Sequence, residues 1–190
     1  MTEIQIGGHK LALDLNTKHG RLYHNNGMRH VDAQLASHFI GEGDRVLDLG
    51  ANIGFTALCY LASGASEVHA FEPVIHILNK LKLFGDKRLF VYPYAASNFN
   101  GQKEIFLSQT HDQGHTLNKT TVSYHRGVFG EKLKSEVVDV VTIDSILEEV
   151  CFDFVKLDIE GEELNAIQGA PNIFQKNTPK VMQIEIENIY

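Results

Sequence analysis

Hydrophobic and polar residues follow each other along this chain in short blocks, and the period of each block predicts its secondary structure. Blocks of four or five mostly apolar residues are typical of buried strands, whereas apolar residues three or four positions apart are typical of amphipathic helices. From residue 45 onward the two kinds of block alternate. We predict strands at Arg45–Leu49, Glu67–Phe71 and Leu89–Tyr92, and helices at Gly54–Ser63 and Val74–Phe84.

A second group of blocks follows after residue 100. It predicts strands at KEIFLS, EVVDVVTI, FDFVKLD and KVMQIEIE, and a helix from Glu160 to Gln168. Alternation of this kind is typical of an α/β fold with a doubly wound, mostly parallel sheet and helices on both faces. Ligands of such sheets bind beyond the carboxyl ends of the strands, where the strand order reverses.

The first 43 residues have a different pattern. Gly7 and Gly8, between EIQI and KLALDL, predict a hairpin, and the apolar spacing within Asp32–Ile40 predicts a helix that Gly41 and Gly43 end. No repeat, low-complexity tract or proline-rich linker marks a boundary in the sequence. We therefore expect one globular domain, with residues 1–43 as an N-terminal hairpin and helix on a core of residues 44–190.

Composition narrows the class of protein. The 190 residues, 43% of them hydrophobic, can bury one sizeable core. A formal charge of -7 disfavours a broad surface for nucleic acid or anionic membrane. Cys59 and Cys151 are far apart and form no C-x-x-C pair, so neither a disulfide framework nor a zinc cluster is indicated. With no leader-like start and no run of 18 apolar residues, we expect a cytoplasmic protein.

The stretch VLDLGANIGF places Asp48 at the end of an apolar strand and two glycines after it. Gly50 permits a tight turn, and Gly54 allows the next helix to pack close to the strand. The spacing lacks both G-x-G-x-x-G and G-K-[ST], so a phosphate cradle is not expected. Burying a carboxylate that has no use is costly, so we expect Asp48 to contact a ligand. A carboxylate suits a ligand that offers an ammonium or hydroxyl group.

Glu72 ends the next predicted strand in the motif AFEP, one strand-helix-strand step after Asp48. A carboxylate there can accept hydrogen bonds from two ribose hydroxyls. A ligand with an amino acid portion at one end and a ribose further along is S-adenosylmethionine. The structural alternatives are a simple turn for the glycines and a helix start for Glu72.

Four motifs resemble, in their order and spacing, the FkbM-type methyltransferases: GDRVLDLGANIGFTAL, HAFEP, YAASNFNGQKEIF and FDFVKLDIEGEELNAIQGA. The resemblance covers roughly Asp44 to Glu187. It implies a class I methyltransferase (Rossmann-like) fold and S-adenosylmethionine-dependent O-methylation of a sugar or natural product. The usual methyltransferase sheet continues where this sequence ends, so we expect the C-terminal antiparallel strand pair to be lacking.

The resemblance also implies roles for nine residues. Seven are expected to bind the cofactor: Asp48, Gly50, Asn52, Gly54, Glu72, Ala95 and Ala96. Glu72 would hold the ribose, and the two alanines would lie near the adenine. Asp158 and Glu160 would face the transferred methyl group and act in catalysis. Residues 1–43 match the family less clearly and are expected to form part of a substrate cover.

Two routes remain open for deprotonating the acceptor hydroxyl. Asp158 can take the proton as a general base. Alternatively, magnesium held by Asp158 together with Glu185, Glu187 or Asn188 can lower the pKa of the hydroxyl. In the structural alternative, Asp158 and Glu160 are the N-cap and first-turn acid of the predicted helix. Lys156 interrupts an apolar strand and is expected to pair with one of these acids.

The segment Gln109–Lys134 is long, polar and weakly periodic, which predicts a lid or a mobile surface loop. His111, Asp112 and His115 lack the further ligands of a metal site, so no metal is predicted there. One of these histidines is a candidate for substrate contact or general base. Asp144 matches an acid common in the family, although helix capping explains it equally well.

Other classes of function also remain open. A protein that binds S-adenosylmethionine without turnover would share the cofactor motifs. A nucleic-acid methyltransferase would be favoured by N-P-P-Y or D-P-P-Y after the fourth strand, where this sequence has DIEG. We expect a small-molecule hydroxyl acceptor and no nucleic-acid or membrane partner. KVMQIEIE is predicted to be an edge strand, which favours a homodimer.

Overall fold

A five-stranded parallel sheet forms the centre of the computed structural model, which describes residues 1–108, 115–117, 133–147 and 149–186. Its strands are β3 (Arg45–Leu49), β4 (Glu67–Phe71), β5 (Leu89–Tyr92), β9 (Phe154–Leu157) and β10 (Val181–Ile184). They lie in the order β10-β9-β3-β4-β5. The α/β prediction is confirmed, and β3, β4 and β5 have the predicted bounds.

The strand order reverses at β3, which pairs with β4 on one side and with β9 on the other. Asp48 lies in register with Ala70 of β4 and Lys156 of β9. All three strands are parallel, so their carboxyl ends meet at one edge of the sheet. This is the crevice in which the fold class binds its ligands.

Helices cover both faces of the sheet. One face carries α3 (Phe55–Ala62) and α4 (Ile75–Lys82), and the other carries α5 (Asp144–Leu147) and α6 (Glu163–Gln168). The predicted helix from Glu160 was wrong at its start, since α6 begins only at Glu163. Glu160 and Gly161 have φ values of 54° and 95°, and this left-handed backbone cannot belong to a right-handed helix.

The N-terminal elements pack on α3. They are the predicted hairpin of β1 (Thr2–Ile6) and β2 (His9–Leu13), the helix α1 (Lys18–Asn26), a short 3₁₀ turn (Gly27–Arg29) and the predicted helix α2 (Val31–Phe39). Seven of the eight α3 residues are buried, because α3 lies between these elements and the sheet. Residues 1–43 therefore share a hydrophobic core with the rest of the chain.

Helix α1 was not predicted, because its sequence KHGRLYHNN is polar. Thr17 begins it, and the Thr17 hydroxyl oxygen accepts a hydrogen bond from the Gly20 backbone N–H at 3.0 Å. Such N-caps stabilise helices by about 1 kcal/mol. Its buried residues are Gly20 and Tyr23, so one side of the helix faces the core.

Three further strands form a separate small sheet: β6 (Ala95–Ala96), β7 (Gly101–Leu107) and β8 (Lys134–Val141), in the order β6-β8-β7. KEIFLS and EVVDVVTI form strands, as predicted, but these strands lie outside the central sheet. The two strands pair with each other in antiparallel fashion, which needs no crossover helix. Strand β10 lies at an edge of the central sheet, as predicted for KVMQIEIE.

Within the described ranges, the helices are all too short or too polar to cross a membrane.

Candidate functional site

A cleft opens at the carboxyl ends of β3, β4 and β9. It contains about 880 Å³ of empty space, including its open mouth. Seven of the nine predicted site residues line it: Gly50, Asn52, Glu72, Ala95, Ala96, Asp158 and Glu160. The fold thus brings together residues from four separate parts of the sequence.

Asp48 lies behind this lining, in the sheet itself. Its side chain is fully buried, and its Oδ2 accepts a hydrogen bond from the Thr56 hydroxyl at 2.7 Å. Its Oδ1 lies 3.5 Å from Lys156 Nζ. Burial raises the pKa of Asp48, although the Lys156 charge opposes the shift. Direct contact between Asp48 and a ligand stays a prediction.

The two glycines of the motif allow close approach of neighbouring segments. Gly50 has a φ of 83°, and a Cβ there would collide with the backbone oxygen of Asp158. The loops after β3 and β9 can therefore touch only because residue 50 is glycine. Gly54 has a φ of 89°, and a Cβ there would lie 2.6 Å from the Phe84 ring. We expected Gly54 to allow packing against the strand. The contact that it permits is with Phe84, two residues after the end of α4.

Glu72 connects the loops that follow β3 and β4. Its Oε2 accepts a hydrogen bond from the Asn52 backbone N–H at 3.1 Å, and its Oε1 accepts one from the Val74 N–H at 2.9 Å. Burial raises the pKa of Glu72 to about 7, although both amides oppose the shift. Each carboxylate oxygen has a second lone pair, so the group can accept further hydrogen bonds from a ligand. Asn52 has a φ of 47°, a left-handed conformation that is often found at functional sites.

Lys156 is a buried cation at the reversal of the strand order. Its Nζ lies 2.9 Å from Asp158 Oδ2 and donates a hydrogen bond to the Gly50 backbone oxygen at 3.2 Å. The prediction that Lys156 pairs with an acid is confirmed, and Asp48 is a second partner. Burial by itself lowers the pKa of Lys156, but the two carboxylates raise it above its usual value. Lys156 is therefore charged and ties β3 to β9.

Asp158 and Glu160 lie in the loop between β9 and α6. Burial by itself raises the pKa of Asp158, but Lys156 and the neighbouring Glu185 lower it, and the net shift is downward. Asp158 is thus ionised at neutral pH. Oxygen atoms of Asp158, Glu160 and Glu185 lie within 4.8 Å of one another. Of the residues named for magnesium, Glu185 therefore lies beside Asp158, whereas Glu187 and Asn188 lie outside the described residues.

The two acids after Gly161 hold this loop, a role that the sequence analysis missed. Glu163 Oε1 accepts hydrogen bonds from the backbone N–H groups of Ile159, at 3.0 Å, and Gly161, at 3.2 Å. Glu162 Oε1 lies 2.6 Å from Lys103 Nζ of β7. Asp158 and Glu160 are therefore not the N-cap and first-turn acid of α6. The signal was present in the motif EGEE, whose last two acids follow the loop directly.

The N-terminal segment supplies two cleft residues that the sequence analysis did not identify, Tyr23 and Asp32. The Tyr23 ring stacks on Phe55, the first residue of α3, with centroids 3.9 Å apart and an interplanar angle of 6°. His30 packs edge-on against both rings. A single tyrosine in a polar segment does not indicate from the sequence alone that its ring lines a cleft.

Of the long polar segment, His115 lies in the cleft, and its Nδ1 accepts a hydrogen bond from the Ser108 N–H at 3.2 Å. His111 and Asp112 lie outside the described residues, so their predictions stay untested. Asp144 begins α5, and its Oδ2 accepts a hydrogen bond from the Asn172 N–H at 2.9 Å. That bond connects α5 to a π-helical turn (Asn172–Lys176).

Three features together define a protein with a methyltransferase-type α/β fold. They are the order of strands in the sheet, the cleft where the strand order reverses, and the carboxylates that follow β4 and β9. Residues 48–190 match the model of the methyltransferase FkbM domain. The chain belongs to this family, as its motifs predicted.

A solved structure of a methyltransferase shows the same fold. The structure of methyltransferase FkbM from Methylobacillus flagellatus has a TM-score of 0.51 at 21% identity, over 74% of this chain and 32% of that one. This chain thus spans about a third of that protein's length. The proposed methyltransferase yhhF from Escherichia coli has a TM-score of 0.45 at 13% identity, over 98% of this chain and 83% of that one. No curated protein matches the chain.

Proposed function

We propose that this chain is an S-adenosylmethionine-dependent O-methyltransferase that acts on a hydroxyl of a sugar or natural-product small molecule. The observation that carries the proposal is that Glu72, which follows β4, and the ionised Asp158, which follows β9, line the same cleft. Family membership supports methyl transfer. The acids in the lining and the net charge of -7 favour a small acceptor over a nucleic acid.

The residues present fit this cofactor. Glu72 retains lone pairs for two ribose hydroxyls, and Gly50 keeps the loop after β3 open where a side chain would collide with its neighbour. Ala95 and Ala96 offer a small apolar wall for an adenine ring, and Ile105 and Leu117 extend that wall.

When bound, S-adenosylmethionine supplies a methyl group on a sulfonium whose thioether leaves readily. The main task of the chain is therefore to align the acceptor oxygen with the methyl carbon. Asp158 is ionised and can accept a hydrogen bond from the acceptor hydroxyl, which orients it. Lys156, 2.9 Å away, already supplies the positive charge that Asp158 needs. We therefore assign no magnesium to this reaction.

Calorimetry with S-adenosylmethionine and S-adenosylhomocysteine tests the cofactor site. We expect wild-type protein to bind both, and Glu72→Gln to weaken binding at least about tenfold, because a neutral amide accepts ribose hydroxyls poorly. Glu104→Gln is the matched control, since Glu104 is exposed on β7. A folded wild-type protein that ignores both ligands at millimolar concentration contradicts the proposal.

Turnover separates the proposed function from its alternatives. Release of S-adenosylhomocysteine in the presence of sugar acceptors supports an enzyme, whereas binding without release supports a non-catalytic binder. Activity that survives EDTA supports the route without metal. Loss of activity in EDTA, restored by magnesium, would return the reaction to the metal route. Methylation of RNA but not of any glycoside would reject the small-molecule acceptor.

A further inference from the structure

A row of polar side chains crosses the central sheet at one end of the cleft. Asp48 of β3, Lys156 of β9 and Gln183 of β10 lie in register on three adjacent parallel strands, so their side chains point to the same face. Asp32 of α2 continues the row, because its Oδ1 accepts a hydrogen bond from Gln183 Nε2 at 3.3 Å. Asp32 also lines the cleft, although it lies outside residues 48–190 that match the family. The row therefore connects the N-terminal segment to the site.

Lys156 is the cation of this row, and its contacts direct its charge to two other acids. Its Nζ donates a hydrogen bond to the Gly50 backbone oxygen at 3.2 Å and lies 2.9 Å from Asp158 Oδ2. Asp48 Oδ1 is a third neighbour, at 3.5 Å. The charge of Lys156 is therefore matched by Asp158 and Asp48, while Asp32 lies further along the row.

Asp32 has no such cation. In the described part of the chain, its one ion-pair contact is between its Oδ2 and His30 Nδ1, at 3.4 Å. That nitrogen accepts a hydrogen bond from the Asp32 backbone N–H, and a ring nitrogen that accepts a hydrogen bond carries no proton. The other partner, the Gln183 amide, is neutral. Because the Asp32 side chain is still 21% exposed, a cation in the cleft can reach its carboxylate.

Two buried oxygen atoms of the row also lack a hydrogen-bond donor. Within the described ranges, neither Asp48 Oδ1 nor Gln183 Oε1 has a hydrogen-bond partner. Buried polar atoms in proteins nearly always have a partner, from the chain, from water or from a ligand. This end of the cleft therefore has more acceptors than donors, which suits a ligand that carries N–H groups.

The strand order decides which part of the cofactor lies near Asp32. Glu72, the residue expected to hold the ribose, follows β4 on one side of β3. Asp32 contacts β10, which lies two strands from β3 on the other side. A cofactor with its ribose at Glu72 and its sulfonium above the carboxyl ends of β3 and β9 therefore extends its amino acid portion toward Asp32.

We propose that Asp32 binds the α-ammonium group of S-adenosylmethionine and thereby closes the amino acid end of the cofactor site; this rests on the proposed function. The ammonium donates hydrogen bonds to the carboxylate, and such charge-assisted bonds are stronger than those between neutral groups. Gln183 holds the carboxylate in place from β10. Asp48, the acid that the sequence indicated for an ammonium, lies behind the lining, whereas Asp32 lies in it.

Asp32→Asn tests this role, with Glu42→Gln as the matched control. Glu42 is an exposed acid that follows α2, so its variant removes the same charge. Calorimetry compares S-adenosylhomocysteine with methylthioadenosine, which lacks the amino acid portion. We expect Asp32→Asn to bind S-adenosylhomocysteine at least about tenfold more weakly and methylthioadenosine as tightly as wild type does. Unchanged affinity for S-adenosylhomocysteine would overturn the proposal. An equal loss for both ligands would also overturn it, because that loss indicates a purely structural role.

A second measurement uses the wild-type protein. Deaminated S-adenosylhomocysteine, in which hydrogen replaces the amino group, should bind at least about tenfold more weakly than S-adenosylhomocysteine. Equal affinities would overturn the ammonium site. A wild-type protein that binds neither S-adenosylhomocysteine nor methylthioadenosine would instead reject the proposed function itself. Thermal melts show whether each variant is folded, and Asp32→Ser replaces Asp32→Asn if the latter does not fold.

Discussion

At the scale of single residues, the site depends on charges that are buried and paired. Lys156 lies between Asp48 and Asp158, and the three groups join β3 to β9 at the strand reversal. A buried ion is tolerated only when partners and hydrogen bonds compensate its desolvation. The sequence predicts only that Lys156 pairs with an acid, which is a structural role. Its contacts give it that role and also keep Asp158 ionised in the cleft.

We expect Glu72 to make cofactor binding sensitive to pH. Its pKa in the free protein is raised to about 7 by burial, so the side chain carries a proton below that value. The ionised form accepts ribose hydroxyls better, so affinity should fall as pH drops through 7. We expect about a tenfold weaker binding of S-adenosylhomocysteine at pH 6 than at pH 8. Calorimetry at both values checks this, and a slope that persists in Glu72→Gln would assign it to another group.

At the scale of elements, the loop between β9 and α6 is shaped by residues that follow it. Glu160 adopts a left-handed backbone that a side chain disfavours, at a cost of about 1–3 kcal/mol. Two backbone N–H groups on either side of it are held by the Glu163 carboxylate. The Thr116 hydroxyl also donates to the Glu160 backbone oxygen at 2.6 Å. The loop that carries Asp158 and Glu160 is thus positioned by contacts with α6 and with Thr116, which pairs with β7.

Glu163→Ala should release this loop. Two backbone donors lose their acceptor, so we expect unfolding in urea to become easier by about 1–3 kcal/mol. Turnover should fall more than cofactor affinity, because the loop carries Asp158 and Glu160 while Glu72 stays in place. Glu149→Ala is the control, since Glu149 is exposed outside the site. Equal effects of the two variants would show that the Glu163 contacts do not shape the site.

At the scale of the whole molecule, the N-terminal segment is part of the core rather than an attachment. Leu11, Leu13 and Tyr23 are at most 3% exposed and belong to one cluster with α3. The family match begins only at residue 48, yet α3 is buried because residues 1–43 cover it. The exposed apolar residues Met182 and Ile184 lie on the edge strand β10, where the homodimer stays a prediction.

Leu13→Ala and Leu15→Ala form a matched pair that tests this shared core. Leu13 is fully buried and Leu15 is 40% exposed. Truncating a buried leucine usually costs about 2–5 kcal/mol, so we expect Leu13→Ala to lower the unfolding free energy of the entire chain by that amount. Leu15→Ala should change it little. A Leu13→Ala protein whose main urea transition is unchanged would mean that the hairpin unfolds independently of residues 44–190.

The local pattern of the sequence determined the strands β3, β4 and β5. The bounds of β3, β4 and β5 follow from apolar blocks between polar turns, and Gly50 follows from the abrupt turn after an apolar strand. These features depend on neighbours in the chain, so they can be recognised without knowing the fold. The positions of Glu72 and Asp158 at one edge follow from the parallel alternation of strands and helices.

Only the tertiary structure decided which side chains meet in the cleft. Tyr23 and Asp158 come from distant parts of the chain, and nothing in a polar nine-residue helix indicates that it contributes to the cleft. Likewise, the pairing of β7 with β8 in a separate sheet follows from how the chain turns back on itself. A local pattern reveals whether a segment is a helix or a strand, whereas packing between remote segments decides which of its faces reaches the cleft.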